Sequence, residues 1–428
     1  MNGFEQNNAM INPVTQGGNI QVGIGFATGR INFEKILKTY VYNWQECGLT
    51  ERDKVGLNLF VAYDLRYKNT KRTDYIHSAK ELLHLIVKAN FIGKATIQSE
   101  IDHLIGENII DRNEARLLFG VGYAARRNAV LYFAIKNHMD YLLFLDDDEY
   151  PVAVTNTRAL AVWGGQQVLL THLSNIQQAD ITNGHHCGYI SPIPYIEFND
   201  TLTEADFRMF IEAISNDIVS WDKIRSVMDN GGVTYADTRI LTSDTVEEVR
   251  EINRAKFISG ANLCINLTCP ERTNPFYNPP GARGEDTFLS TCLSDRTVLR
   301  VPCYTFHDGF STYRHIMNGV LPTRLKYIRP DSEQIIERFY YACVGWIRYK
   351  PLLLYITQRE HYAEKIREMK AKIDASLPKV CAYFGWDGFN KIASELDKYD
   401  KNAEKHYRQF TDTQHAWAKI TEFLKQEK

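Results

Sequence analysis

Four consecutive acids, Asp146, Asp147, Asp148 and Glu149, follow the apolar run YLLFL at residues 141–145. Adjacent carboxylates repel one another unless a cation or a hydrogen-bond network compensates them. Hard oxygen donors suit Mg²⁺ or Mn²⁺, which often bridge a few carboxylates to substrate phosphates. In an extended chain Asp146 and Asp148 point one way and Asp147 the other. The competing reading is a solvated acidic turn. Position favours the metal, because open α/β sheets bind ligands at the carboxyl ends of their strands. A second acidic pair, Glu285 and Asp286 behind Gly284, could supply a general base for an attacking hydroxyl. Taken alone it reads as a helix N-cap. His307, after the apolar segment 301–306, is either a further metal ligand or a structural hydrogen-bonder.

Other segments are weaker. Residues 123–128 (YAARRN), behind a Gly-containing loop, offer helix N-terminal amides plus Arg126 or Arg127 to a phosphate. The plain alternative is a solvated arginine pair. Gly23 and Gly25 with Gly29 approximate a dinucleotide fingerprint. The third glycine comes one residue late and the next acid, Asp64, lies too far on, which argues against a nicotinamide or flavin site. His185 and His186 lack a spaced carboxylate partner and read as structural.

These residues need a scaffold. Residues 20–27 (IQVGIGFA) and 54–64 (KVGLNLFVAYD) read as buried strands flanking a helix at 33–44, a βαβ unit with a parallel sheet. Helices are expected at 78–89, 97–105 and 123–138, the last leading into strand 141–145. The pattern is less regular over 151–254, where substrate-specific structure is expected. Strand character returns at 257–267, and a Pro- and Gly-rich loop over 270–284 runs into the acidic helix start. Beyond about residue 321 apolar residues recur at helical spacing, predicting a helical region large enough to pack by itself. Residues 1–19 are expected to form a loose arm.

The chain has 428 residues with 50 Lys+Arg against 52 Asp+Glu, so it lacks the basic excess of a nucleic-acid binder. The eight cysteines show no CxxC pair and read as reduced, mostly buried thiols. The start of the chain carries no export-signal pattern, which predicts a cytoplasmic protein or one peripheral at the inner face of the membrane. The most apolar stretch, 339–357, contains Arg348, Lys350 and Pro351 and reads as a core helix pair or a membrane-surface patch.

Taken in order, these pieces resemble the GT-A fold glycosyltransferases, in particular family 2, which uses nucleotide-diphosphate sugars. The resemblance covers roughly residues 20–320, and its most specific part is RRNAVLYFAIKNHMDYLLFLDDDEYP. It implies a Rossmann-like α/β fold, with a mixed, mainly parallel sheet flanked by helices. The domains would be a nucleotide-binding half over 20–150, an acceptor-binding half over 151–320 and a C-terminal helical subdomain over 321–428. It implies that Ala27, Thr28, Arg30, Asp64, Arg127, Asn128, Asp146 and Asp147 bind the nucleotide sugar. Asp146, Asp148 and His307 would hold Mn²⁺ or Mg²⁺, and the pair Glu285 and Asp286 would contain the catalytic base. The stretch between Asp148 and Asp286 exceeds the family pattern and implies an insertion on the acceptor side.

The expected activity is transfer of a sugar, from a UDP-sugar in the first instance, to the hydroxyl of a saccharide or other acceptor, with inversion. Retention stays open. The alternatives are a sugar-phosphate nucleotidyltransferase, for which GFATGRINF is a poor first loop, and a catalytically inactive sugar-nucleotide-binding scaffold. Association with a membrane surface and self-assembly through the C-terminal helices both stay open.

Overall fold

The computed structural model describes residues 20–426, except 32, 47, 50–54, 67, 77–85, 158–159, 216–219, 314 and 317–318. The expected arm at 1–19 lies outside the described residues, as does most of the expected helix 78–89. The end of that segment is strand, because Lys88 opens the third strand of the sheet.

Strands β1 (Ile20–Thr28), β2 (Val55–Tyr63), β3 (Lys88–Ile92) and β4 (Tyr141–Leu145) lie parallel in the order β3-β2-β1-β4. Between them run α1 (Phe33–Glu46), α2 (Thr73–Ile76), α3 (Lys94–Gly106), α4 (Arg112–Phe119) and α5 (Tyr123–Lys136). All five residues of β4 are buried, as a parallel strand covered on both faces requires. Leu143 and Leu145 pack with Val22, Ile24 and Phe26 against Tyr40 and Trp44 of α1. Leu142 and Phe144 face the opposite way, onto α5. There β1 offers only glycine: a Cβ at Gly25 would come within 2.7 Å of Val130 Cγ1. The glycines of the first strand therefore admit a helix, which explains them without a dinucleotide.

The chain continues through β5 (Glu149–Tyr150), the hairpin β6 (Val152–Thr157) and β7 (Leu160–Gly165), α6 (Val168–Leu173) and β8 (Ile181–Gly188). Helices α7 (Glu204–Ile214), α8 (Trp221–Asp229) and α9 (Thr238–Leu241) follow. Three two-residue strands come next, β9 (Glu247–Glu248), β10 (Glu251–Ile252) and β11 (Ala255–Lys256). Then come β12 (Leu263–Asn266), α10 (Glu285–Ser290) and β13 (Val298–His307). The main sheet extends past β4 as β12-β8-β13-β5, with β12 antiparallel to both neighbours and β13 parallel to β8. Strand structure in the expected 257–267 stretch is confined to β12.

The last four helices are α11 (Glu333–Thr357), α12 (Tyr362–Phe384), α13 (Lys391–Lys401) and α14 (Ala403–Gln426). They share cores with what precedes them. Phe339, Phe384 and Phe389 pack with Phe207, Phe210 and Trp221 of α7 and α8. Trp417 and Ile420 of α14 enter the core beside α4 and α5. The apolar stretch expected as a helix pair is one continuous helix carrying Pro351, and the buried Lys350 donates Nζ to the Ser215 carbonyl. Among the described residues no helix is long and apolar enough to cross a membrane. Of the cysteines, Cys187, Cys264, Cys303, Cys343 and Cys381 are buried and free.

Candidate functional site

The acids after β4 do not continue as an extended strand. They turn tightly, the Glu149 amide donating to the Asp146 carbonyl over 3.4 Å. Asp146, Asp147 and Asp148 consequently all line one cleft of about 820 Å³, which corrects the alternating arrangement expected of a strand.

Three cationic side chains meet these carboxylates. Arg30, in the turn after β1, places Nη1 2.6 Å from Asp148 Oδ2 and 3.1 Å from Asp147 Oδ1. The Thr28 hydroxyl donates to Asp147. Arg127, on the core side of α5, donates Nη2 to Asp146 over 3.0 Å and Nε to Glu285 over 3.4 Å. Its remaining nitrogen is held by the Gly260 carbonyl, and its guanidinium lies near the rings of Phe144 and Phe276. His307, the last residue of β13, brings Nε2 to 3.4 Å from Asp148 Oδ1. Its Nδ1 faces the Tyr189 carbonyl at 2.8 Å, a bond that fixes the ring's orientation. Antiparallel pairing of β13 with β5 sets His307 opposite Glu149, so the sheet itself delivers the histidine to the acidic turn.

Burial and charge then divide the carboxyls. Burial pushes Asp147 up to about 7 despite Arg30, and raises Asp146 despite Arg127. Asp148 is equally buried, but His307 and Arg30 together hold it well below the usual carboxylate range. Burial would depress His307, yet the facing Asp148 outweighs it and raises the imidazole to about 9.

Glu285 lines the cleft, whereas Asp286 stands behind that wall, accepting from the amides of Thr287 (2.8 Å) and Gly260 (3.2 Å). Burial, with the charge of Glu285, raises Asp286 to about 6. Ala27, Arg30 and Arg127 line the same cleft. Asp64 occupies a small neighbouring pocket of about 70 Å³ with Thr28, Gly122 and Arg126. Helix α5 starts there with no side-chain cap. The two arginines of α5 thus separate, Arg126 toward Asp64 at 3.9 Å and Arg127 toward Asp146.

Asn128 does not belong to the site. It is fully buried, donates to the carbonyls of Leu118 and Phe276, and accepts from the Phe276 amide. It ties α5 to the loop before α10, a structural role that sequence spacing does not distinguish from ligand contact. His186 is the converse case. Its Nδ1 lies 3.2 Å from Glu149 Oε1, a partnership made by β8 lying beside β13 and invisible in the local sequence. Arg283, from the loop before α10, also lines the cleft and was not singled out by any motif.

Among the described residues no group of three or more His, Cys, Asp or Glu side chains forms a ready-made metal cage. Asp148 and His307 offer an oxygen and a nitrogen at about the separation of two neighbouring ligands on one small divalent ion. Charges of both signs meet in the cleft, Asp146, Asp147, Asp148 and Glu285 standing with Arg30, Arg127, Arg283, Arg338 and His307. No family model matches the chain, and no curated protein matches it.

Proposed function

We propose that the chain is a GT-A-type glycosyltransferase that transfers a sugar from a nucleotide-diphosphate sugar, UDP-linked in the first instance, to an acceptor hydroxyl. One observation carries the reading. Asp146 and Asp148 of the turn after β4, His307 of β13 and Glu285 of α10, three separate segments, converge on a single cleft at the carboxyl ends of β1 and β4. That is where an open sheet receives a nucleotide.

In this reading the Asp64 pocket takes the nucleoside. Arg30, Arg127 and Arg283 face the diphosphate, and their fixed charges stabilise the leaving group as the glycosidic bond breaks. Asp148 and His307 are the side chains that would hold Mn²⁺ or Mg²⁺, which when bound supplies Lewis-acid stabilisation of the departing diphosphate. Asp286, whose carboxylate lies behind Glu285, would turn toward the cleft to take the proton from the acceptor hydroxyl. Its carboxyl, raised to about 6, is ionised at neutral pH yet basic enough for the task. Arg127 and Gly260 fix the distance between the acid pair and the aspartate turn.

A thermal-shift screen of nucleoside diphosphates with and without Mn²⁺ tests the donor half, since a ligand that binds only the folded state raises its apparent stability. Release of UDP from a UDP-sugar in the presence of an acceptor is the expected reaction. Pyrophosphate formed from a nucleoside triphosphate and a sugar phosphate, with no UDP released, would instead establish a nucleotidyltransferase.

A further inference from the structure

A second cavity, of about 770 Å³, opens beside the cleft and shares Asp146, Arg283 and His307 with it. Its character differs. Ile193, Ile211, Ile224, Val227, Trp346 and Tyr349 make up much of its wall, contributed by the 189–196 segment and by α7, α8 and α11. Lys223, Asn230, Arg283 and Arg300 also reach the wall, but its surface is mainly apolar, which suits a ligand with an apolar body better than a free sugar with hydroxyls on every side.

Two polar atoms of the lining residues are buried without a hydrogen-bond partner among the described residues, His186 Nε2 and Thr234 Oγ1. The other nitrogen of the His186 ring is committed. Nδ1 lies 3.2 Å from Glu149 Oε1 and 3.0 Å from Thr305 Oγ1, while the Thr305 hydroxyl donates to Glu149 Oε2 over 2.8 Å. Nδ1 is thus engaged by Glu149 and Thr305, and Nε2 is the ring nitrogen left without a partner among the described residues. Glu149 is itself buried and held from both sides, so the ring has a rigid backing. A cavity of several hundred Å³ with apolar walls and a few fixed polar groups is the form of a small-molecule site.

We infer that this cavity binds an alcohol whose hydroxyl is carried on an apolar body, with that hydroxyl hydrogen-bonded to Nε2 of His186. Its role as acceptor rests on the glycosyltransferase reading. The residues shared with the cleft place such a hydroxyl beside the donor site, and Ser259 in the same wall adjoins Gly260, whose amide holds Asp286.

The probe is 4-propylphenol, titrated calorimetrically into the full-length protein and compared with methyl glucoside; UDP with Mn²⁺ is titrated into the same preparation. The phenol is expected to bind and methyl glucoside to bind at least about tenfold more weakly. Val227→Trp, which fills the cavity from a partly exposed position, is expected to weaken the phenol by about tenfold or more. His186→Phe is expected to act in the same direction. Should His186→Phe not fold, Val227→Trp and Thr234→Val carry the test. Methyl glucoside binding as tightly as the phenol, or Val227→Trp leaving the phenol affinity unchanged, would overturn the inference. Phenol binding without any UDP binding would sustain the ligand class while removing the glycosyltransferase reading. UDP binding without phenol binding would overturn this inference alone.

Discussion

The guanidinium of Arg30 lies 2.6 Å from Asp148 Oδ2, while His307 faces the other oxygen of the same carboxylate at 3.4 Å. Asp148 is thus clasped between two organic cations at the position where the glycosyltransferase reading needs a metal ligand. Arg30 also reaches Asp147, so a diphosphate entering the cleft would find its arginine already spanning two acids. In the proposed function this arginine is drawn from carboxylate to phosphate as the donor binds, freeing Asp148.

Asp148→Ala is therefore expected to abolish the Mn²⁺-dependent part of UDP stabilisation while leaving the fold intact. Differential scanning fluorimetry with UDP, with and without Mn²⁺, reads this directly. A variant that keeps the full Mn²⁺ effect would remove Asp148 from the metal role.

Asp286→Asn is expected to spare UDP binding and to cut turnover by about a hundredfold or more, the usual contribution of a positioned base. Because burial and the Glu285 charge raise Asp286 to about 6, the wild-type rate should climb with pH to about 6 and then level off. Glu285→Gln removes a neighbouring negative charge, so the same limb should move to lower pH. A limb that stays in place in Glu285→Gln would show that another group titrates there.

Asn128→Ala is expected to cost about 2–3 kcal/mol of folding stability, because buried backbone groups of Leu118 and Phe276 lose their partner. UDP affinity of the folded variant should be unchanged. Denaturant titration and calorimetry separate these two outcomes.

His172 supplies a pH prediction remote from the cleft. Fully buried between Thr182 Oγ1 (2.7 Å) and Asn262 Oδ1 (2.8 Å), it is lowered by burial to about 4. Its unfolded value is about 6.5, so protonation favours the unfolded chain and the associated stability, present above that pH, is lost as pH falls toward 4. The loss attributable to this group is up to about 3 kcal/mol. Urea denaturation of wild type and His172→Gln between pH 7 and 4.5 should give a shallower decline for the variant. Parallel curves would remove His172 as the source.

Much of this was readable from residue order. The strand-helix-strand opening, α5, β4 and the helical end stand where apolar periodicity predicts them, because each buries a continuous stripe or both faces. The aspartates were legible as a site because a polar run after a buried strand has few structural uses. What could not be read was orientation. The turn at 146–149 faces three acids to one side because the chain reverses into β5, a tertiary demand without local signal. Asn128 and His186 exchanged roles for the same reason: long-range partners decide which polar side chain is satisfied and which faces a cavity.

Trp417 is almost wholly enclosed in the core beside β4 and α5, its indole N–H donating to Thr273 Oγ1 over 3.0 Å. The layer that supports the aspartate turn is thus completed by α14, which follows α5 only after the second half of the sheet and three long helices. During synthesis the sheet of β1 to β4 must wait, with an apolar face uncovered, until α14 emerges. Chaperone engagement of nascent chains stalled before residue 400 would follow directly from that order of assembly.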